Sequence, residues 1–323
     1  MPGPLGATYE AKCLTSPAEL SALPPFAFEV FLYLQPAHVA LQAGPNWQVF
    51  VLVNHSTGQV VGITHLFREQ DFARTPWRAP FGGMQLHQDV PEAVARTFLQ
   101  YVHLHLRDQD VRRVQWLQCP DVYAPGTNEW MRSALPAFRY SLQHDQRNHH
   151  IPVTEAPFQE IIHPSLKRRL TKCLNAEFTF QQETVAELPE AYAFLKRCRE
   201  EKQKPLSLSL EQLTRYFELF PERYFLFTVR HGQELAAVGV AVMITRHLLN
   251  HLYPASPRSF NAYSPTVLLN AGLYQFCQTR HISILDLGVS APVDESEKDY
   301  SGLFTFKERL GGVESRKPTF LME

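Results

Sequence analysis

The sequence predicts an α/β fold with mixed sheets (α+β in its layering), arranged as two similar domains, on three observations. Apolar-polar alternation around a glycine-containing turn occurs twice, at 48–67 and 224–244. Gly58 precedes Pro91 by the same 33 residues that separate Gly232 from Pro265. Each of those prolines follows a capping-type residue, Asp89 or Ser264, and opens an apolar-periodic helix that leads to another apolar strand.

In the first half, strands are expected at 48–53 and 60–67 around His55-Ser56-Thr57-Gly58, then a helix at 91–106, a strand at 114–117, a helix at 128–135 and a strand at 139–143. The second half begins with a basic helix at 163–174, a strand at 177–181 and helices at 188–202 and 210–220. Its hairpin pairs 224–229 with 235–244 through His231-Gly232-Gln233-Glu234. There follow a strand at 246–253, a helix at 265–278, a strand at 282–287, a helix at 303–310 stopped by Gly311-Gly312, and a strand at 313–321. The polar, proline-containing stretch 144–164 either links the halves or runs as a shared strand, and the boundary is placed at Glu155, giving domains 1–154 and 155–323.

With 323 residues, 45% hydrophobic and 20% charged, the chain can fill two cores and is not disordered. A formal net charge of -1 gives no general electrostatic reason for binding DNA or an anionic membrane. The local exception is Lys167-Arg168-Arg169 with Lys172, followed by Lys196, Arg197, Arg199, Lys202 and Lys204, which is the candidate patch for tRNA. No apolar run reaches the roughly 18 residues of a membrane span and the start lacks signal-peptide regions, so a cytoplasmic protein is expected. Cys13, Cys119, Cys173, Cys198 and Cys277 are scattered, as reduced buried thiols are. His149-His150, with His144 and His163 nearby, lack carboxylates or cysteines at ligand spacing, so no metal is expected.

Gly-x-Ser-x-Gly, His-Glu-x-x-His and GxxxxGK[ST] are all absent, which leaves direct transfer as the surviving enzymatic class. The element order over 177–322 resembles the GNAT acyltransferase fold. Three local stretches, Tyr263-Ser264-Pro265, Leu285-Asp286-Leu287-Gly288 and Phe306-Lys307-x-x-Leu310-Gly311-Gly312, are similar to the branch nearest the Fem-type peptidoglycan ligases. Residues 25–145 look like a second, weaker copy. The resemblance implies tandem GNAT-like domains, the C-terminal one active and the N-terminal one degenerate and helping to shape the acceptor cleft. It implies transfer of an acyl or aminoacyl group from acyl-CoA or aminoacyl-tRNA to an amine of a small molecule or cell-wall precursor. The alternative is a non-catalytic GNAT-fold protein that binds a ligand or partner.

Two departures bear on substrate. No charged heptad pattern provides a coiled-coil arm. Where GNAT enzymes cradle a pyrophosphate on a glycine-rich loop, this chain has Arg258-Ser259-Phe260-Asn261-Ala262-Tyr263, and Pro265 removes a donor from the first helical turn. Pro80-Phe81-Gly82-Gly83 in the first half is closer to a phosphate-accepting turn.

Acyl transfer to an amine requires a proton acceptor and donors for the developing oxyanion. Lys307 is the expected charge stabiliser, against the alternative of a solvated face of its helix, and Phe306 beside it is expected in the core. Alternation places His251 and Tyr253 on one strand face, as base and proton donor, or as ordinary hydrogen-bonded sheet residues. Asp286, in an apolar strand, is expected to orient a cationic substrate or cap a turn. Arg258, Tyr263, Ser264 and Phe306 are the donor-side candidates, with Arg199 and Lys204, whose place at a helix C-terminus equally fits capping.

Overall fold

The structure, a computed structural model, describes residues 8–42, 44–203, 206–291 and 300–323. Contacts gather the chain into two compact units, Met1–Gln146 with Arg316–Glu323, and Arg147–Ser315. The division therefore falls at 146/147, inside a strand, where the sequence placed it at 154/155. The last eight residues fold with the first unit.

The first unit holds strands β1 (Tyr9–Leu14), β2 (Trp47–Asn54), β3 (Gln59–Glu69), β4 (Phe72–Thr75), β5 (Met84–Leu86) and β6 (Arg113–Leu117). Neighbouring strands run antiparallel except β4 and β6, which are parallel. Residues 319–322 of the C-terminal strand (Val313–Met322) pair antiparallel with β6. Helix α3 (Glu92–Arg107) buries Ala95, Phe98, Leu99, Val102 and Leu106, the i, i+3, i+4, i+7 stripe that its sequence announced. These pack on Phe50, Leu52 and Trp116, and the Trp116 indole donates to the Tyr140 hydroxyl at 3.1 Å.

Beyond its last pair, Thr75 with Trp116, the parallel pair of this unit is closed by its own chain. Gly82 N donates to Leu117 O at 3.0 Å, Gly83 N to Thr75 Oγ1 at 3.1 Å, and Met84 N to Gln118 Oε1 at 2.8 Å. The phosphate-accepting turn expected at Pro80-Phe81-Gly82-Gly83 is thereby corrected, because both glycine N–H groups already have acceptors inside the fold. The glycines permit close approach instead. Gly83 has φ +76, and a Cβ there would lie 1.4 Å from Gln118 Oε1. Gly83→Ala is expected to destabilise the protein by more than about 2 kcal/mol, seen as a lower urea midpoint with an unchanged slope. An unchanged midpoint contradicts this packing.

The second unit runs from β7 (Tyr140–Pro152), which starts in the first, through β12 (Ile284–Val289), β11 (Leu248–Ala255), β10 (Glu234–Thr245) and β9 (Tyr224–His231) to β8 (Phe178–Glu183). Of the stretch offered as linker or shared strand, 144–152 is strand, and beyond it the short helix α5 (Phe158–Ile161) leads into the second unit. Gly58 and Gly232 take positive φ in the two hairpin turns, as the repeat requires. Helix α6 (Pro164–Asn175) packs on α9 (Pro265–Thr279), which is apolar nearly all round and buried in the core. Helix α7 (Leu188–Glu200) lies on β10 and β11, and α10 (Ser301–Arg309) precedes the turn at Gly311, whose φ is +83.

Two irregularities position the site. The parallel pair β11 and β12 holds only from Leu248/Ile284 to Asn250/Asp286. Past it, β11 stays with β10 as far as Ala255 while β12 turns to β7 as far as Val289. The second irregularity is a bulge: Tyr253 pairs with Val240 but His251 pairs with Ala241, which leaves Leu252 as an extra residue.

Candidate active site

The strand opening after Asn250 and Asp286 carries a lysine. Lys307 is 7% exposed. Its ammonium donates to Gly288 O at 2.7 Å and Val289 O at 3.1 Å, the carbonyls of the strand that has left its parallel neighbour. Burial lowers its pKa to about 8, with the Asp286 carboxylate opposing the fall. The reading of Lys307 as a solvated surface residue is therefore corrected. The neighbouring charges Glu308 and Arg309 are exposed, while position 307 turns inward with Phe304. Phe306 is partly buried against the core.

Asp286 is 2% exposed and holds three strands together. Its Oδ1 accepts from Asn148 Nδ2 of β7 at 2.7 Å and from Gly288 N at 3.0 Å, and its Oδ2 accepts from Asn250 Nδ2 of β11 at 2.8 Å. The Gly288 bond closes a local turn, where β12 bulges and Gly288 takes φ +72. Charge-assisted bonds from two amides explain how a carboxylate sits in an otherwise apolar strand.

His251 and Tyr253 do not share a face. The extra residue Leu252 breaks the alternation on which that expectation rested. His251 turns toward α9, where its Nε2 lies 2.8 Å from where a Gly239 Cβ would stand, beside Leu269. Burial lowers its pKa to about 4. The Asn270 amide opposes that fall, although neither His251 Nε2 nor Asn270 Oδ1 completes a hydrogen bond of ordinary geometry. A histidine so enclosed is neutral at pH 7 and a poor proton acceptor.

Tyr253 lies on the other face. Its hydroxyl bonds the Ser207 hydroxyl and the Arg199 guanidinium stands over its ring, 5.8 Å from the centroid. Burial raises the pKa of this phenol. Arg199 is thereby brought to Tyr253, whereas Lys204 lies outside the described residues.

Of the donor-side candidates, Arg258, Tyr263 and Ser264 lie just before the start of α9, while Phe306 lies on α10 beside Lys307. Ser264 takes φ +56, accepts from Arg169 Nη1 at 2.6 Å and donates to Asn261 O at 3.3 Å. Lys172 donates to Ala262 O at 2.9 Å and stands 4.9 Å from the Tyr263 ring centroid. These bonds engage two cations of the patch offered for tRNA in local structure. Arg258 opens a short 3-10 turn, and its N–H lies 3.4 Å from Glu201 Oε2. The groove of about 490 Å³ beside it is lined by Glu190, Glu201 and Glu234 with Arg197. Glu190 is paired with Arg230 at 2.7 Å, and the other two carboxylates disfavour a pyrophosphate in this groove.

Sequence reasoning missed Asn148, His150, Asn250 and Asn270. A signal was available: each is a polar residue within a strand or helix whose neighbours are largely buried, and such a residue needs a partner. His150 was weighed only as half of a histidine pair for metal. Among the described residues no group of three or more His, Cys, Asp or Glu is arranged to hold a metal ion, and no helix is long and apolar enough to cross a membrane.

No family model and no curated protein matches the sequence. Solved structures do match. One is FemX, with 11% identity, 96% of each chain covered and a TM-score of 0.69. A second is L-PGS from Bacillus licheniformis, with 14% identity, 96% of this chain and 92% of that one covered and a TM-score of 0.59. A third is a tandem GNAT protein from the clavulanic acid biosynthesis pathway, with 13% identity, 98% of each chain covered and a TM-score of 0.52. The chain therefore shares its fold with these proteins, a tandem GNAT protein among them, as its sequence implied. At these identities the likeness is one of fold.

Proposed function

We propose that the chain is an acyltransferase that moves an acyl or aminoacyl group from an activated ester or thioester to an amine. The observation that carries this reading is the Lys307 ammonium in the opening between two parted parallel strands. An acyl donor entering there would meet backbone groups released from the parallel ladder. Its carbonyl oxygen, as it becomes an oxyanion, would lie within reach of a positive charge in a low-dielectric setting. The similarity in fold to FemX and L-PGS supports transfer chemistry of this kind, with a small molecule or cell-wall precursor as the class of acceptor.

In this reading the second unit, residues 147–315, carries the activity and the first is a degenerate copy. The difference between the two parallel pairs supports this. The chain at 80–83 closes the first pair, with Gly82 N bonded to Leu117 O, while a lysine head group meets the strand carbonyls at the second. The carboxylate-lined groove near Arg258 favours a donor other than one anchored by its pyrophosphate.

The test is to incubate the purified chain with short acyl thioesters, acyl-CoA and simple aminoacyl esters beside a panel of primary amines. Amide products are sought by mass spectrometry. Product formed by the wild type above the uncatalysed rate supports the reading. Absence of product from every donor overturns it in favour of a binding protein.

A further inference from the structure

The face of the sheet that carries Tyr253 also carries a polar floor. Asn250, Asp286 and His150 stand directly opposite one another across β11, β12 and β7, and Asn148 reaches Asp286 from two residues along β7. The pairing of Val242 with Asn250 and of Val240 with Tyr253 puts these side chains on one face, since alternate residues of β10 point the same way.

Two atoms of this floor lack hydrogen-bond partners although they are buried. Asn250 is 6% exposed, and its Nδ2 donates to Asp286 while its Oδ1 has no donor. His150 is 8% exposed, and its Nδ1 has no partner. Buried polar atoms of native proteins are ordinarily satisfied, so unmatched ones beside a carboxylate mark a place where something binds. The two unmatched atoms are acceptors, an amide oxygen and, in the Nε2–H tautomer, an imidazole nitrogen, and the carboxylate beside them already accepts three hydrogen bonds. A ligand matching them brings N–H donors and positive charge, which excludes carboxylates and phosphates and suits a primary ammonium group.

Resting on the acyltransferase reading, we infer that this floor seats the acceptor as a primary ammonium, bound by Asn250 Oδ1 beside Asp286, and that His150 Nδ1 takes its proton. Burial lowers the pKa of His150, and the Asp286 carboxylate directly across the sheet opposes that fall, so the proton would arrive on a ring that has a counter-charge beside it, which His251 lacks. The ammonium gives one proton to His150. The freed nitrogen lone pair forms the C–N bond at the acyl carbon, and the carbonyl pair moves to oxygen. As the tetrahedral centre collapses, the bond to the ester or thioester heteroatom breaks with its electron pair, and that atom takes the second nitrogen proton. The amide keeps the third proton.

The test begins without any acyl donor. Protein labelled with 15N-histidine is titrated with n-butylammonium and, separately, with n-butanol, following the His150 ring resonance identified by its loss in His150→Gln. The expected result is a saturable shift with the amine, at least tenfold weaker or absent with the alcohol, and at least tenfold weaker in Asn250→Leu. Equal responses to amine and alcohol in the wild type overturn the inference without reliance on any variant. The two readings fail separately. Amine binding without transfer in any donor assay leaves the floor standing and removes the enzyme. Transfer that proceeds with unchanged kcat and KM for the amine in both His150→Gln and Asn250→Leu removes the floor and leaves the enzyme.

Discussion

Lys307→Ala is expected to lower kcat for acyl transfer by about 10²–10³-fold, the usual consequence of deleting one preorganised oxyanion donor. KM for the amine should change little, because the lysine is assigned to the acyl side. The ammonium form is the active one. With the pKa lowered to about 8, the rate should fall as pH rises through that value, and this descending limb should be missing from the residual activity of the variant. The stability signature has the opposite sense. A lysine whose folded pKa lies below its unfolded value of 10.5 binds fewer protons when folded, so the wild type gains stability as pH rises from about 8 to 10.5. The fall is worth on the order of 3 kcal/mol. Lys307→Met lacks that gain, and denaturant melts of the two proteins across this range measure the difference. A rate loss under about fivefold, or parallel stability curves, contradicts the assignment.

Acid is expected to unfold the protein cooperatively between about pH 4 and 5, driven by histidines that the fold keeps neutral. Burial lowers the pKa of His65 to about 3, that of His38 to about 3 with His65 adding to the effect, and that of His251 to about 4. Each folded value lies below the unfolded 6.5, so the unfolded chain takes up more protons and stability is lost as pH falls from 6.5 toward the folded value. His38 and His65 together cost the first unit ~2.7 kcal/mol per pH unit, or roughly 5 kcal/mol by pH 4.5, and His251 costs the second unit about half as much, sums that approach the stability of a marginal domain. His65→Gln and His251→Gln should each move the midpoint to lower pH, read by circular dichroism. A wild-type midpoint below pH 3 contradicts the burial of these rings.

Much of this architecture was legible locally. The hairpins around Gly58 and Gly232, the helices opening at Pro91 and Pro265 and the stop at Gly311-Gly312 follow from turn chemistry and apolar period, which each segment carries in itself. Lys307, Asp286 and Tyr253 also stand out in the sequence, as polar residues in apolar elements or in a stretch that carries the resemblance. The short strands Phe72–Thr75 and Met84–Leu86 were not, being too short for alternation to show. Nor was the return of residues 316–323 to the first unit, which depends on a strand pairing that no local pattern encodes.

By itself, then, the sequence determined the order of elements, the internal repeat and the residues worth testing, because hydrophobic period, glycine and proline act over a few residues. Only the tertiary structure decided which of those residues meet. One extra residue at Leu252 sends His251 and Tyr253 to opposite faces, and the packing of α10 turns Lys307 inward onto the Gly288 and Val289 carbonyls. Asn148 reaches Asp286 from a strand 138 residues away in the chain, and Asn250 reaches it from 36 residues away. Register, bulges and long-range pairing fix such meetings, and these arise from packing the whole sheet rather than from any stretch of sequence.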